Sequence, residues 1–391
     1  MKSGPRILDI VNTDHAALNF LAYRVGWINR HSEFVNDIVC SPGPHLARLD
    51  VEQTRVTPLD IPRDMSPTSL GRLLGRLVSV MRAERYTIVH THNSITGAIG
   101  RVAARLARVP LVIHTTHGFH FHENMSTLRR LPWVAAERWL SRFCDLLLCQ
   151  NRQEVEEIRR LGIRPRRGVC HVGNGIDLGQ FRPRARMVEN ERPALLCVAR
   201  LETVKNHPML FRAFGILRRR HDAVLKLVGE GPLRERYERE LAAAGLAGAV
   251  EFLGYRYDVP ELTAAADVAV LTSVKEGIPR ALMQAAAVGV PVVATDVKGT
   301  REVVANAQTG FLVPLDDAET LAERLGRLLD DAELRRQMGA RAAQYAREHF
   351  DEEQVVQRLV RVYRNALFAR GLADARQPAV AEAVAAEQRS A

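Results

Sequence analysis

The chain has 391 residues, 47% hydrophobic and 26% charged, with a formal net charge of +10. That length exceeds one ordinary domain about twofold and predicts two domains, and the balance excludes wholesale disorder. No run approaches the roughly 18 consecutive apolar residues of a spanning helix, and the segment Met1–Asn12 lacks the apolar core and cleavage site of a signal peptide.

In chain order, short apolar runs alternate with amphipathic helical segments. Ile7–Val11, Thr87–His90, Leu111–His114, Leu146–Cys149 and Gly168–His171 read as buried strands. Helical patterns cover Leu70–Arg85, Gly97–Arg108, Leu128–Cys144 and Arg152–Leu161. The scheme repeats with strands at Ala194–Ala199, Leu225–Val228, Val250–Leu253, Val268–Leu271 and Val292–Thr295. Its helices fall at His207–Arg220, Leu233–Gly245, Arg280–Val288, Asp317–Leu328 and Glu352–Arg370. Continuous apolar strands separated by helices predict parallel sheets covered on both faces, hence an α/β chain of two Rossmann-like domains. The Gly- and Pro-containing, charged run Gly173–Arg192 reads as the linker. The expected domains are therefore 1–182 and 183–370, followed by a disordered tail over 371–391.

Charge divides unevenly. Through residue 180, 24 Lys and Arg stand against 16 Asp and Glu, whereas beyond it 31 stand against 29. A basic first half points to an acidic partner. The basic residues are mostly Arg, with few interleaved aromatics and no nucleic-acid motif, so nucleic acid is not the expected partner. Arg129 and Arg130, with Arg101, Arg105 and Arg108, lie on amphipathic helices near Leu131, Trp133 and Trp139, a pattern suited to an anionic membrane surface or to an ordinary solvated face. Five scattered cysteines (Cys40, Cys144, Cys149, Cys170, Cys197) read as buried thiols in a reducing cytoplasm. Neither half carries G-x-G-x-x-G after its first strand, and no G-x-x-x-x-G-K-[ST] occurs, which disfavours NAD-type dinucleotide binding and excludes a P-loop.

Three clusters carry chemistry. Arg200, Lys205 and Asn206 follow a buried strand and open a helix, where two cations beside helix-start N–H groups suit a phosphate. Glu276-Gly277-Ile278-Pro279-Arg280 follows another strand and also enters a helix, with Gly277 permitting close backbone approach and Glu276 a strong acceptor for sugar hydroxyls. Gln284 lies eight residues on, an expected two turns deeper. His114, His117, His120 and His122 invite a metal reading, but no Cys or carboxylate pair completes a set. One or two imidazoles lining a polar cleft beside Gly118 is the simpler expectation. Asn174-Gly175-Ile176-Asp177 reads as a turn at the junction, and Gly229-Glu-Gly231-Pro232 as a strand-to-helix turn.

The ordered set His117-Gly118, Asn174-Gly175-Ile176-Asp177, Arg200 with Lys205-Asn206, Gly229-Glu-Gly231-Pro232, Gly254-Tyr-Arg256 and Glu276-Gly-Ile-Pro279 resembles the retaining glycosyltransferases of family 4. The match runs from about Arg6 to Arg370, and His117-Gly-Phe-His-Phe121 resembles the bacterial branch that builds capsule, exopolysaccharide and O-antigen on a lipid carrier. The resemblance implies a GT-B fold, two Rossmann-like domains facing across a cleft, with the C-terminal helix returning toward the first. It implies transfer of a sugar from a nucleotide sugar, most simply a UDP sugar, to a lipid-linked saccharide. It implies no metal or other cofactor, a cytoplasmic location, and contact with the inner membrane surface. By position, His117, Arg200, Lys205 and Glu276 carry catalysis. Gly118, Asn174, Gly229, Arg256, Gly277, Ile278, Pro279, Arg280 and Gln284 bind the donor, Arg256 lying by the nucleobase. Two departures stand out. Gln284 occupies the second position of the family's E-x7-E pattern, where Glu302 is a candidate to compensate, and Asn12–Asn19 has no glycine where a glycine-rich loop is common. A UDP-sugar epimerase of the same architecture and a non-catalytic nucleotide-sugar-binding protein are the alternatives.

Overall fold

The computed structural model describes residues 4–62, 66–122, 125–183 and 190–372. The tail expected over 371–391 lies outside them from residue 373 onward, as does the 184–189 stretch of the expected linker. The chain divides into two compact units, residues 1–173 with 353–391, and residues 174–352.

In unit 1 the described strands are β1 (Arg6–Ile10), β2 (Val35–Cys40), β3 (Val56–Pro58), β4 (Ile88–His92), β5 (Leu111–Thr116), β6 (Leu146–Cys149) and β7 (Gly168–His171). They form one sheet in the order β3-β2-β1-β4-β5-β6-β7, every pairing parallel. Successive side chains alternate across a strand, and both faces here are apolar. Ile7, Ile88 and Leu111 enter one core cluster, while their chain neighbours Leu8, Val89 and Val112 enter another on the opposite face. The second cluster is closed by Leu73, Leu77 and Met81 of the helix Pro67–Glu84 and by Ala103 and Ala104 of the helix Ser94–Leu106. Ser66 starts the first of these helices by accepting from Ser69 N–H, with Pro67 in the first turn. The first cluster is closed by Ile28 of the helix Ala22–His31 and by Val356, Leu359, Val360, Tyr363, Ala366 and Leu367 of the helix Glu352–Phe368.

Unit 2 repeats the plan with β8 (Ala194–Val198), β9 (Val224–Val228), β10 (Val250–Gly254), β11 (Val268–Leu271), β12 (Val292–Thr295) and β13 (Gly310–Val313). The order is β10-β9-β8-β11-β12-β13, again parallel throughout. In each sheet the strand order reverses beside its first strand, at β1/β4 and at β8/β11, and crevices at such points hold ligands.

The α/β reading with two parallel sheets stands, with differences. The boundary expected at 182/183 falls between Gly173 and Asn174, because Ile176 N–H bonds to Phe350 O and Glu352 N–H to Ile176 O, tying 174–182 to unit 2. Residues 353–370, placed by number in the second domain, belong to unit 1, in keeping with the returning helix. Among the described residues the cysteines are all thiols. Four are buried, and burial pushes Cys40, Cys144 and Cys197 each up to about 12.

Candidate functional site

Two loops of unit 2 leave the carboxyl ends of the adjacent strands β8 and β11 and are bonded to each other. After β8, Thr203–Lys205 forms one 3-10 turn, and Asn206 takes a left-handed φ of 48° before the helix His207–Leu217. After β11, Thr272 Oγ1 donates to both Lys205 O and Asn206 O at 3.0 Å, and Val274 N donates to Val204 O at 2.9 Å. Lys205 Nζ meets Glu276 Oε1 at 2.5 Å, and Ser273 Oγ donates to the same oxygen at 2.6 Å. Only 21% of the Lys205 side chain and 11% of Glu276 are exposed, so the pair is poorly screened. Lys275 beside them is shifted down by burial, against the opposing pull of Glu276.

The Glu276 loop rests on backbone. A Cβ on Gly299 would stand 2.2 Å from Gly277 O and 2.8 Å from Glu276 O, so only glycine fits there. Thr295 Oγ1 donates to Ser273 O at 2.6 Å, and Thr300 Oγ1 to Thr295 O at 2.6 Å. The loop bends at Gly277 and Ile278, Pro279 is extended, and the helix Arg280–Ala287 begins only after it. Gln284 therefore stands about one turn into that helix rather than two turns beyond Glu276, and is half-buried.

The other expected residues of unit 2 scatter around this pair. Arg200 is bridged to Glu202 at 2.6 Å and its side chain is 66% exposed, so the structure does not bring it onto Glu276. Gly229 follows β9 with φ 139°, where a Cβ would lie 2.1 Å from Ala199 O, and Leu201 N–H bonds to Glu230 O at 3.0 Å. The Gly229–Gly231 turn thus braces the loop that carries Arg200. Arg256 is paired with Asp258 and exposed. Asn174 Nδ2 reaches Ile278 O at 3.5 Å, and Arg280 donates to Gly175 O at 2.7 Å and faces Glu352 at 3.4 Å. The guanidinium of Arg280 thereby fastens the 174–175 segment, and Gly277, Ile278 and Pro279 are buried.

In unit 1, His117 follows β5 and is half-buried, with Gly118 next at φ 90°. Its Nε2 lies 3.1 Å from His92 Nδ1, and its ring tilts 5.5 Å from that of Phe20. The histidines His114, His117 and His120 do not converge. His114 is buried on β5 with Nδ1 2.9 Å from Thr91 Oγ1, and the exposed His120 stands against Trp133. The metal-capable trio among the described residues is instead Asp9, His90 and His92, all buried. Its atoms already have partners: Arg24 sits 2.5 Å from Asp9 Oδ1, and His90 contacts Tyr363 OH and Thr115 Oγ1, each at 2.6 Å. The guanidinium stands where a cation would, so this set does not fit a metal ion.

The sequence placed Ser273 at the head of the Glu276 cluster without giving it a role, and it missed Thr272 and Gly299 behind Glu276, and Asp9, Arg24 and His92 behind His117. A signal for the last group existed. Asp9 interrupts an apolar strand, and His90 and His92, two apart, share one face of β4, whose register pairs Asp9 with His90. The basic helices also differ from expectation. Arg101 is fully buried against Glu137 and Arg105 is paired with Asp145, so neither faces outward. The helix Thr127–Leu140 buries only Val134 and leaves Leu128, Leu131, Trp133 and Trp139 exposed.

Two family models match: a glycosyl transferase 4-like domain over residues 30–175 and glycosyl transferases group 1 over residues 182–345. The chain is 30% identical over 319 residues to the UDP-Gal:alpha-D-GlcNAc-diphosphoundecaprenol alpha-1,3-galactosyltransferase of Escherichia coli, covering 77% of this chain and 81% of that protein. Among solved structures it resembles the sucrose-phosphate synthase of Thermosynechococcus elongatus, with a TM-score of 0.80 at 21% identity over 93% of this chain and 99% of that one. It also resembles HepE of Anabaena in complex with UDP-glucose, with a TM-score of 0.77 at 20% identity over 92% and 99%.

Proposed function

The chain belongs to the group 1 glycosyl transferases, with a glycosyl transferase 4-like first half and the GT-B fold, and from that premise we propose that it moves a hexosyl unit from a UDP sugar to a lipid-linked saccharide with retention of configuration. The relative from Escherichia coli is named for a UDP-linked donor and a diphosphoundecaprenol-linked acceptor, which supports both halves of this reading. Nothing in these likenesses supports the epimerase alternative.

The observation that carries the proposal is the Lys205–Glu276 pair at the reversal point of the second sheet. A diphosphate arriving there offers Lys205 a second anion, and Glu276 turns an acceptor oxygen toward sugar hydroxyls. As the glycosidic bond breaks, charge grows on the leaving diphosphate, where a preorganised cation is worth most. Lys205 and Arg200 take that part without a resident metal. The acceptor hydroxyl attacks the anomeric carbon on the face the diphosphate leaves, and its proton passes to a leaving oxygen. His117 of unit 1 supplies an imidazole to a saccharide hydroxyl.

A panel of UDP-, GDP- and ADP-sugars tests the donor, because a ligand that binds the folded state raises its melting temperature. UDP release from the stabilising sugar is then followed with an undecaprenyl-diphosphate-linked saccharide. A shift with GDP or ADP sugars and none with UDP sugars refutes the nucleobase, and UDP sugar consumed equally with and without acceptor refutes the transfer.

We further propose contact with an anionic membrane surface. No described helix is long and apolar enough to cross a membrane. The helix Thr127–Leu140 nevertheless presents Leu128, Leu131, Trp133 and Trp139 beside the exposed Arg129 and Arg138, the composition of an interfacial helix. Sedimentation with phosphatidylglycerol vesicles at low salt tests it. Binding that Trp133→Ser with Leu128→Ser abolishes is expected, and no binding at low salt overturns it.

A further inference from the structure

The transfer reading gives a part to His117 and none to the buried chain of polar groups behind it. Asp9 lies in β1, and His92 ends β4 on the adjacent strand; both are essentially without solvent contact. Asp9 Oδ1 is 2.7 Å from His92 Nε2, and His92 Nδ1 is 3.1 Å from His117 Nε2. The protons in this chain can be placed by elimination.

Asp9 accepts at both oxygens. Arg24 Nη2 donates to Oδ1 at 2.5 Å, and Asn36 Nδ2 donates to Oδ2 at 2.8 Å. A ring nitrogen 2.7 Å from such an oxygen must carry the proton between them, which puts it on His92 Nε2. Arg24 Nη2 is also 3.1 Å from that nitrogen, but guanidinium nitrogens only donate, and the shorter contact decides. Burial above all, then the charge of Arg24, shifts the His92 imidazole well below its ordinary range, so one nitrogen is bare. That nitrogen is Nδ1. An unprotonated Nδ1 accepts, and its neighbour must donate, so the proton on His117 sits on Nε2.

We propose that Asp9 and His92 are positioning residues that hold His117 in its Nε2–H tautomer, so that Nδ1 is the ring nitrogen that accepts from a saccharide hydroxyl. The choice of saccharide as the partner rests on the transfer reading above; the tautomer does not. A neutral imidazole whose other nitrogen is tied to a buried acceptor keeps one face of its chemistry constant. Arg24 has a defined place in the device. It satisfies Asp9, and it stands ready to reverse the chain if Asp9 is lost.

The test is a two-bond nitrogen–proton correlation spectrum of the full-length protein labelled with ¹⁵N-histidine, without ligand, His117 being assigned by its loss in His117→Gln. The expected pattern shows Nε2–H on both His92 and His117. A wild-type His117 carrying its proton on Nδ1 overturns the proposal. In Asp9→Leu the neighbour left beside His92 Nε2 is Arg24, a donor. His92 must then carry Nδ1–H, donate to His117 Nε2 and move the His117 proton to Nδ1. A folded Asp9→Leu protein in which His117 keeps Nε2–H also overturns the proposal, and if that variant does not fold, the wild-type spectrum decides. Turnover in folded Asp9→Leu is expected to fall on the order of 10-fold or more, the effect of a wrong tautomer. Should His117→Gln transfer sugar from the UDP donor at the wild-type rate, the saccharide contact fails while the spectrum still judges the tautomer.

Discussion

Lys205 Nζ and Glu276 Oε1 stand 2.5 Å apart although 71 positions separate them in the chain. They meet because β8 and β11 are neighbours in the sheet and each residue lies in the loop that follows its strand. Removing either leaves the other as a poorly solvated charge. Lys205→Ala and Glu276→Ala are each expected to slow UDP release on the order of 10²-fold. The double variant should be far less damaged than the product of the two, as for groups that act together. Initial rates of the three proteins with one UDP sugar check this, and near-wild-type rates in both single variants refute the site.

Gly299 supports the pair from behind. Gly299→Ala forces a methyl against Gly277 O and Glu276 O, displacing the Glu276 carboxylate from Lys205. Turnover should drop about tenfold or more, with a stability cost of about 1–3 kcal/mol typical of overpacking. Gly71 lies on the exposed face of the helix Pro67–Glu84, where an added methyl would meet nothing within 4 Å. Gly71→Ala should therefore gain about 0.5–1 kcal/mol with unchanged rates. Thermal unfolding and UDP release on both variants separate a local block from a general intolerance of alanine.

Gln284 offers an amide where the resembled family has a carboxylate. Gln284→Glu should tighten UDP binding about tenfold, since a charge-assisted hydrogen bond exceeds a neutral one by about 1–1.5 kcal/mol. Isothermal titration with UDP gives the result directly. Weaker binding would mean that the pocket around the helix Arg280–Ala287 is built for the amide.

His207 is buried between Phe211 and Tyr237, and burial, helped by the charge of Lys205, lowers its pKa to about 4. Among the described residues its Nδ1 has no hydrogen-bond partner. Between pH 6.5 and 4 the unfolded chain binds a proton at this position that the folded protein refuses, so stability falls as pH falls. The contribution is about 2 kcal/mol at pH 5, at 1.36 kcal/mol per unit below 6.5. His207→Leu should therefore gain on the wild type as urea midpoints are compared from pH 7 down to pH 5. A difference independent of pH would mean that His207 takes up its proton as readily in the fold as in the unfolded chain. His90, His92 and His114 in unit 1 are shifted the same way by burial, so both units weaken toward acid.

Much of this architecture was legible because strands buried on two faces are written as unbroken apolar runs. Leu146–Cys149, Val268–Leu271 and Val292–Thr295 read directly. β2 was hidden by Asn36 and Asp37, which are buried only because Asn29, Asp9, Arg6 and Tyr86 bond to them from elsewhere. β3 is three residues ending in proline, and β13 is four. The helix Ala332–His349 buries Met338 and three alanines, too weak a stripe to stand out. Lys205 and Glu276 were legible because charged residues beside Gly and Pro follow apolar strands. Ser273, Thr272 and Gly299 were not, since small residues acquire their roles only from the loop folded over them. The Asp9–His92–His117 chain left only a faint mark, a carboxylate in one apolar strand and two alternating histidines in another, and that these meet is decided by the pairing of β1 with β4.

The helix Glu352–Phe368 fills the face of the first sheet formed by Ile7, Ile88 and Leu111, and Tyr363 reaches His90 there. During synthesis, residues 174–352 emerge as an unbroken stretch and have everything they need to close their own interior. The segment made before them does not. It must wait with one sheet face bare until the ribosome has delivered Val356 through Leu367, so the half translated first is the half completed last.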